Sequence, residues 1–154
     1  MSVIDQKLKS MNIDLPQLVT PAANYVPHVI MGNILLISGT LPMKDGKPQD
    51  IGKVGKDFTI EQAQATARLC GINILSNVRA ACGGNLDRVK KCMRLGVFVN
   101  SAPGFTDQPK VANGVSDLMV GVFGDAGKHT RAAVGVSELP FGVAVEVDAM
   151  FEIS

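Results

Sequence analysis

The sequence predicts one α+β domain, a mixed β-sheet with two main helices packed on one face in two layers. Three observations predict it. Residues 59–82 and 109–123 carry apolar residues at three- and four-residue steps, the period of a helix with one buried face. Residues 28–40, 86–99 and 130–153 are apolar, β-branched runs in which alternate side chains share a face. The 154 residues, 46% apolar and 19% charged, suffice for one core and leave an apolar surplus. The order helix, β, β, α, β, α, β, β supplies helices for one sheet face only. Cover for the other face is expected from another subunit.

The elements follow in chain order. Residues 2–12 have a weak helical period in Val3, Ile4, Leu8 and Met11. An extended linker over 14–27 follows, broken by Pro16, Pro21 and Pro27, and it carries Tyr25. Gly32-Asn33 sits between apolar runs and predicts a hairpin. Its second strand, 34–40, reads as buried on both faces and ends in Ser38-Gly39-Thr40, two hydroxyls beside a bare backbone. Residues 42–58 read as a loop. Thr59 followed by Gln62 is a capping-box pattern, and Ile60, Ala63, Ala67, Cys70, Ile74, Val78 and Ala81 form the helix stripe until Gly83-Gly84 stops it. Residues 86–99 read as one long strand. The loop after it, with Asn100, Ser101, Gly104 and Phe105, is a candidate pocket lip. Pro109 suits the first turn of the next helix, whose stripe is Val111, Val115, Leu118 and Val122.

The last segment, 129–154, reads as two strands joined near Pro140 and Gly142. In such a hairpin Arg131 lies opposite Ala149 and Glu146 opposite Gly135, about 10 Å apart along the strands. Arg131 shares its face with Ala133, Gly135 and Ser137. A guanidinium among side chains that fill so little space suits capture of a planar carboxylate by two parallel hydrogen bonds. The alternative is a strand-edge arginine, solvated or paired to an acid such as Asp148. Glu146 has the parallel alternative of a solvated strand carboxylate.

Other chemistries find less support. A net charge of +1, a single Tyr and no Trp are a poor footing for RNA binding. The glycines of 42–58 do not follow a phosphate-loop spacing. Cys70, Cys82 and Cys92 match no zinc pattern, and His28 and His129 have no partner at metal-ligand spacing, so both read as structural. No run is long enough to span a membrane and no signal pattern opens the chain, which makes a reducing cytoplasm the expectation.

The residues carry a family resemblance. Tyr25-Val26, Gly32-Asn33, Ser38-Gly39 before Leu41-Pro42, Phe98-Val99, and Arg131 followed by Leu139-Pro140 and Glu146 resemble the Rid family, also called YjgF-type or L-PSP proteins. The resemblance runs from about Asn24 to the C-terminus. It is to the longer subgroup, with residues 1–23 as an N-terminal extension of a single domain over 1–154. It implies a chorismate-mutase-like fold and a homotrimer with a central β-barrel and ligand clefts between subunits. For active members it implies hydrolysis of reactive 2-imino or enamine acids to 2-keto acids and ammonia. Arg131 stands where such members hold the substrate carboxylate, and Glu146 where they handle the water. Tyr25, Ser38 and Asn113 match further pocket positions, Asn113 across a loop that is longer here.

Two departures bear on activity. Active members carry Cys at the position of Ala133 and commonly Gln at that of Thr40, so two polar pocket groups are gone. An imine carbon is already electrophilic, and water attack on it needs orientation and a proton shuttle rather than a metal or cofactor. Enzyme, non-catalytic trimeric binder of small carboxylates such as keto acids, and L-PSP-type endoribonuclease or translation inhibitor are the three readings the sequence leaves.

Overall fold

In a computed structural model, which describes residues 1–18 and 24–154, the elements are α1 (Val3–Ser10), β1 (His28–Met31), β2 (Ile34–Thr40), β3 (Met43–Lys44), β4 (Lys47–Pro48), α2 (Ile60–Ala81), β5 (Val89–Asn100), α3 (Gln108–Phe123), β6 (Thr130–Val136) and β7 (Val145–Ile153). The fold is the mixed α+β architecture that the sequence predicts. The caps form as their residues dictate. Gln62 N–H donates to Thr59 Oγ1 (3.2 Å) and Thr59 N–H to Gln62 Oε1 (2.9 Å), closing the first turn of α2. Gly83 and Gly84, both at positive φ, end it. The helix α1 is pinned from outside. Asp87 accepts the N–H groups of Ile4 and Val3, each at 2.9 Å, and those bonds hold its carboxyl below the usual range. The linker expected over 14–27 lies partly outside the described residues.

Five strands form the main sheet in the order β1-β2-β7-β5-β6, antiparallel except for the β5–β6 pair. This corrects the expected terminal hairpin: β6 and β7 are not neighbours, because β5 lies between them. A parallel pair needs a crossover, and α3 supplies it between β5 and β6. The chain then passes over the end of β5 and returns on its other side as β7. Buried Asn100 holds that crossing, its Nδ2 donating to the carbonyls of Gly52 (3.3 Å), Gly142 (3.4 Å) and Val143 (3.2 Å). Lys53 Nζ donates to Asn100 Oδ1 and to the Ser137 carbonyl, each at 2.7 Å.

The core lies between one sheet face and the helices. Leu35, Leu95, Val97, Val99, Val145, Val147 and Phe151 meet Ala63, Ala67, Cys70 and Ile74 of α2 and Val111, Val115 and Met119 of α3. Gly114 lets α3 close on α2, since a Cβ there would strike the Gln64 carbonyl. The thiols belong to this core, and burial pushes that of Cys92 up to about 12. The opposite sheet face has no layer over it among the described residues. Register puts Val29, Met31, Leu36, Phe98, Val134 and Met150 on it, with Arg94, Glu146, Asp148 and Glu152. Leu36 is 42% exposed, so β2 is buried on one face only, not both as its apolar run suggests. Two smaller expectations change as well. Leu86–Arg88 is a 3-10 turn ahead of β5, and the 42–58 loop holds the β3–β4 ribbon about Asp45-Gly46.

Candidate functional site

Arg131 lies near the start of β6 and pairs in register with Leu95, so its side chain shares the helix-facing side of the sheet. There it meets α3. Its Nη1 donates to Asn113 Oδ1 (2.9 Å) and Ser116 Oγ (3.0 Å), and its Nη2 to the Pro109 carbonyl (3.2 Å). Asn113 and Ser116 are three residues apart and therefore neighbours on one helix face. No carboxylate pairs with Arg131 among the described residues; Asp148 pairs instead with Arg94, at 3.4 Å, on the far face. The three acceptors account for three of the five guanidinium donors. Among the described residues an Nε–H and one Nη2–H remain for a ligand, and an arginine's Nε and Nη2 donors together match a carboxylate side-on.

The floor beside this fork is low. Ala133 and Gly135 follow Arg131 on the same strand face. A Cβ on Gly135 would come within 2.9 Å of Gln108 Nε2 and Ser101 Oγ. Gln108 Nε2 in turn donates to Ser101 Oγ (3.2 Å) and the Phe105 carbonyl (2.8 Å), tying the loop after β5 to α3. Phe105 lays its ring on Gly55 and against the core, so the structure gives it a packing role at the loop base.

A second group forms toward the opposite edge of the sheet, at β2. A cleft of about 510 Å³ is walled by Tyr25, Ser38, Gly39, Thr40, Asn77 and Phe141 among others. Ser38 Oγ–H donates to the Val26 carbonyl (2.7 Å) and Thr40 Oγ1–H to the Ser38 carbonyl (2.8 Å). Tyr25 is 57% exposed at the rim. Opposite β7 the pairing of β2 slips between Ile37 and Thr40, which brings Gly39 over Glu146. A Cβ on Gly39 would overlap that carboxylate. Glu146 is half-buried. Burial, and then the nearby Asp148 charge, push its carboxyl above the ordinary value.

One chain does not bring the two groups together. Phe98 pairs with both Val134 and Glu146, whereas Leu95 pairs with both Arg131 and Ala149. Arg131 and Glu146 thus point to opposite sheet faces, two strands apart and three residue rows (about 10 Å) along them. Tyr25, Ser38 and Thr40 wall the cleft, which Glu146 adjoins through Gly39, and Arg131, Asn113 and Ala133 lie together at the β6 edge. The sequence does not single out Ser116, and His129 reads there only as structural. Ser116 Oγ lies 2.8 Å from His129 Nε2, and His129 Nδ1 lies 2.6 Å from the Gly127 carbonyl. The three-residue step from Asn113 to Ser116 was the signal available for the first; nothing local marks the second. Among the described residues no cluster of His, Cys, Asp and Glu suits a metal ion, and no helix is long and apolar enough to cross a membrane.

A two-layer α+β chain with an uncovered sheet face and a carboxylate-sized fork at its edge strand defines a class, and similarity to known proteins names it. The family described as "YjgF/chorismate_mutase-like, putative endoribonuclease" matches residues 5–151. Protein TCP17 of Trypanosoma cruzi is 49% identical over 148 residues, which are 96% of this chain and 92% of that protein. Atu1372 of Agrobacterium tumefaciens, a protein of unknown function, has a crystal structure that is similar with a TM-score of 0.91 at 45% identity, over 99% of this chain and 94% of that one. A Shewanella oneidensis MR-1 protein described as a "putative endoribonuclease" gives 0.93 at 31% identity, over 97% and 99%. The chain belongs to the YjgF/chorismate-mutase-like family.

Proposed function

We propose that this protein is a homotrimer that hydrolyses reactive 2-imino and enamine acids to 2-keto acids and ammonia in clefts between neighbouring chains. The observation that carries the reading is Arg131: three acceptors fix it and, among the described residues, no carboxylate opposes it and two donors are left over. The uncovered sheet face supports the assembly, because Met31, at 78% exposure, and Val134, at 46%, leave apolar surface that a neighbour would bury. A neighbour seated there also supplies the half that one chain lacks, setting the Glu146 group of one subunit against the Arg131 group of the next.

In that cleft Arg131 holds the substrate carboxylate and the imine carbon faces water near Glu146. The imine nitrogen takes a proton from solvent; as the water oxygen bonds to the resulting iminium carbon and its π electrons pass to nitrogen, the Glu146 carboxylate takes the water's proton, giving a carbinolamine. The carbon–nitrogen bond then breaks as Glu146 returns its proton to nitrogen, the hydroxyl proton passes to solvent as the carbonyl forms, and ammonia leaves a 2-keto acid behind. An enamine enters the same path after protonation at carbon. A carboxyl whose pKa lies above the ordinary value is better matched to both directions of transfer at neutral pH.

One observation favours a second reading, a non-catalytic binder of small carboxylates. The Ser38 and Thr40 hydroxyl protons are both spent on backbone carbonyls, and Ala133 brings no polar atom, so few groups are left to steer the nitrogen. A third, endoribonuclease action, fits poorly with a net charge of +1. One assay separates the three: ammonia release from an imine generated in situ by an amino-acid oxidase. Wild-type protein is expected to accelerate it and Arg131→Ala to abolish the acceleration. No acceleration with saturable keto-acid binding selects the binder; RNA cleavage that survives Arg131→Ala in nuclease-free preparations selects the nuclease.

A further inference from the structure

We propose that Ser116 and His129 are positioning residues for Arg131, linked so that the direction of every hydrogen bond between them is fixed. The proposal rests on the reading of Arg131 as the carboxylate holder. Polarity is set from the far end. The Gly127 carbonyl only accepts, so the His129 Nδ1 that it faces at 2.6 Å carries the hydrogen. In the neutral ring Nε2 is then an acceptor, and the group facing it at 2.8 Å is Ser116 Oγ. The serine hydroxyl therefore donates to histidine and keeps its lone pairs for Arg131, whose Nη1 donates to that oxygen at 3.0 Å. Ser116 cannot turn its hydrogen toward the guanidinium without giving up His129.

The far end is anchored in the fold. Gly127 is buried, and a Cβ there would strike the Met119 carbonyl, so the turn before β6 sits against the backbone of α3. Asn113 and the Pro109 carbonyl hold the guanidinium from the same helix. Asn113 can exchange its amide ends by rotation. Ser116, held by His129, cannot reverse its polarity at so small a cost. The linkage keeps Nη1 occupied, so that among the described residues the donors left for a ligand are Nε–H and one Nη2–H. The arrangement also tells against Ser116 as a nucleophile. Its oxygen lies in a helix interior and already accepts a hydrogen bond from a cation.

The test uses the full-length protein and three readouts. Nitrogen-15 NMR of the histidine ring is expected to show His129 as the neutral Nδ1–H tautomer. The Arg131 Nε–H resonance is expected to be sharp in wild type and broadened in Ser116→Ala and His129→Ala, while core amides stay in place. In both variants 2-oxobutanoate affinity is expected to fall about fivefold, the size of one modest hydrogen bond, and any imine hydrolysis to lose in KM rather than kcat. His129→Gln, whose amide oxygen reaches the Nε2 position, is expected to recover both the resonance and the affinity. The Nε2–H tautomer, or an Arg131 signal unchanged in both alanine variants, overturns the proposal. If wild type binds no 2-oxobutanoate, the carboxylate reading falls, and the tautomer and the Arg131 resonance still decide the linkage.

Discussion

Replacing Arg131 by lysine keeps the charge and removes the plane. The guanidinium has five donors, of which Asn113, Ser116 and the Pro109 carbonyl take three. An ammonium has three in all, on one rotating atom. If it keeps Asn113 and Ser116, a single N–H remains for a ligand, and the parallel pair is reduced to one bond. A hydrogen bond to a charged group is worth about 2 kcal/mol, so keto-acid affinity is expected to fall about 30-fold. Stability is expected to change little, because Arg131 is an exposed side chain on an edge strand. Isothermal titration calorimetry with 2-oxobutanoate, paired with a thermal melt, measures both. An affinity within twofold of wild type would show that charge alone holds the anion, and the two-donor argument would fail.

The remaining expectations concern the other half of the site and the bare face. Gly39→Ala puts a methyl where the Glu146 carboxylate sits; the obstructing group is the tip of a flexible side chain, so the melt is expected to move little, by about 1 kcal/mol or less, while ammonia release drops at least tenfold. Equal losses of stability and activity would assign Gly39 to packing instead. Glu146→Gln is expected to stabilise the fold as pH rises. Folding favours the protonated Glu146, so that contribution is complete below the ordinary Glu pKa and is lost as pH climbs through the raised one. Melts of Glu146→Gln and wild type should therefore converge near pH 4 and separate by pH 8, with the variant higher; a constant gap across that range contradicts the assignment. Val134→Lys puts a charge on the uncovered face, and light scattering is expected to show the proposed trimer in wild type and its loss in the variant; an unchanged mass would remove that face from the assembly.

What was legible in the sequence was whatever rests on local rules. Thr59 and Gln62 announce the start of α2, Gly83-Gly84 announces its end, and alternation marks the strands of the last segment. Partnership between strands is not local. Residues 130–136 and 143–153 alternate just as a hairpin would, and their alternation is indifferent to whether β5 stands between them. The information that separates the two topologies lies in Asn100 and Lys53, whose side chains bond the crossing loop from 42 to 84 residues away. The same limit governs the site. Arg131 stood out because its strand face is otherwise small, a property of neighbours at i+2 and i+4. Ser116 and His129 did not, because a serine inside a helix and a histidine before a strand become a pair only when the turn at Gly127 folds back on α3.

The opposed placement of Arg131 and Glu146 turns the assembly question into a chemical one. Two groups on opposite faces of one sheet cannot hold one small molecule, since the sheet itself stands between them. A monomer built this way would carry a carboxylate fork with no base and a perturbed carboxyl with no anchor. The carboxyl's raised pKa costs stability at neutral pH, and an unfilled fork returns none. Mixing the two single variants tests this directly. In the proposed homotrimer, Arg131→Ala and Glu146→Gln chains each spoil one half of every cleft. When they are unfolded together and refolded, mixed trimers contain clefts in which an intact Arg131 from one chain meets an intact Glu146 from its neighbour. Activity absent from either variant and regained on mixing is the expected result. Equal inactivity in the mixture, with mixed trimers demonstrated by mass spectrometry, would mean that both residues act from the same chain, and the shared-cleft mechanism would have to be abandoned.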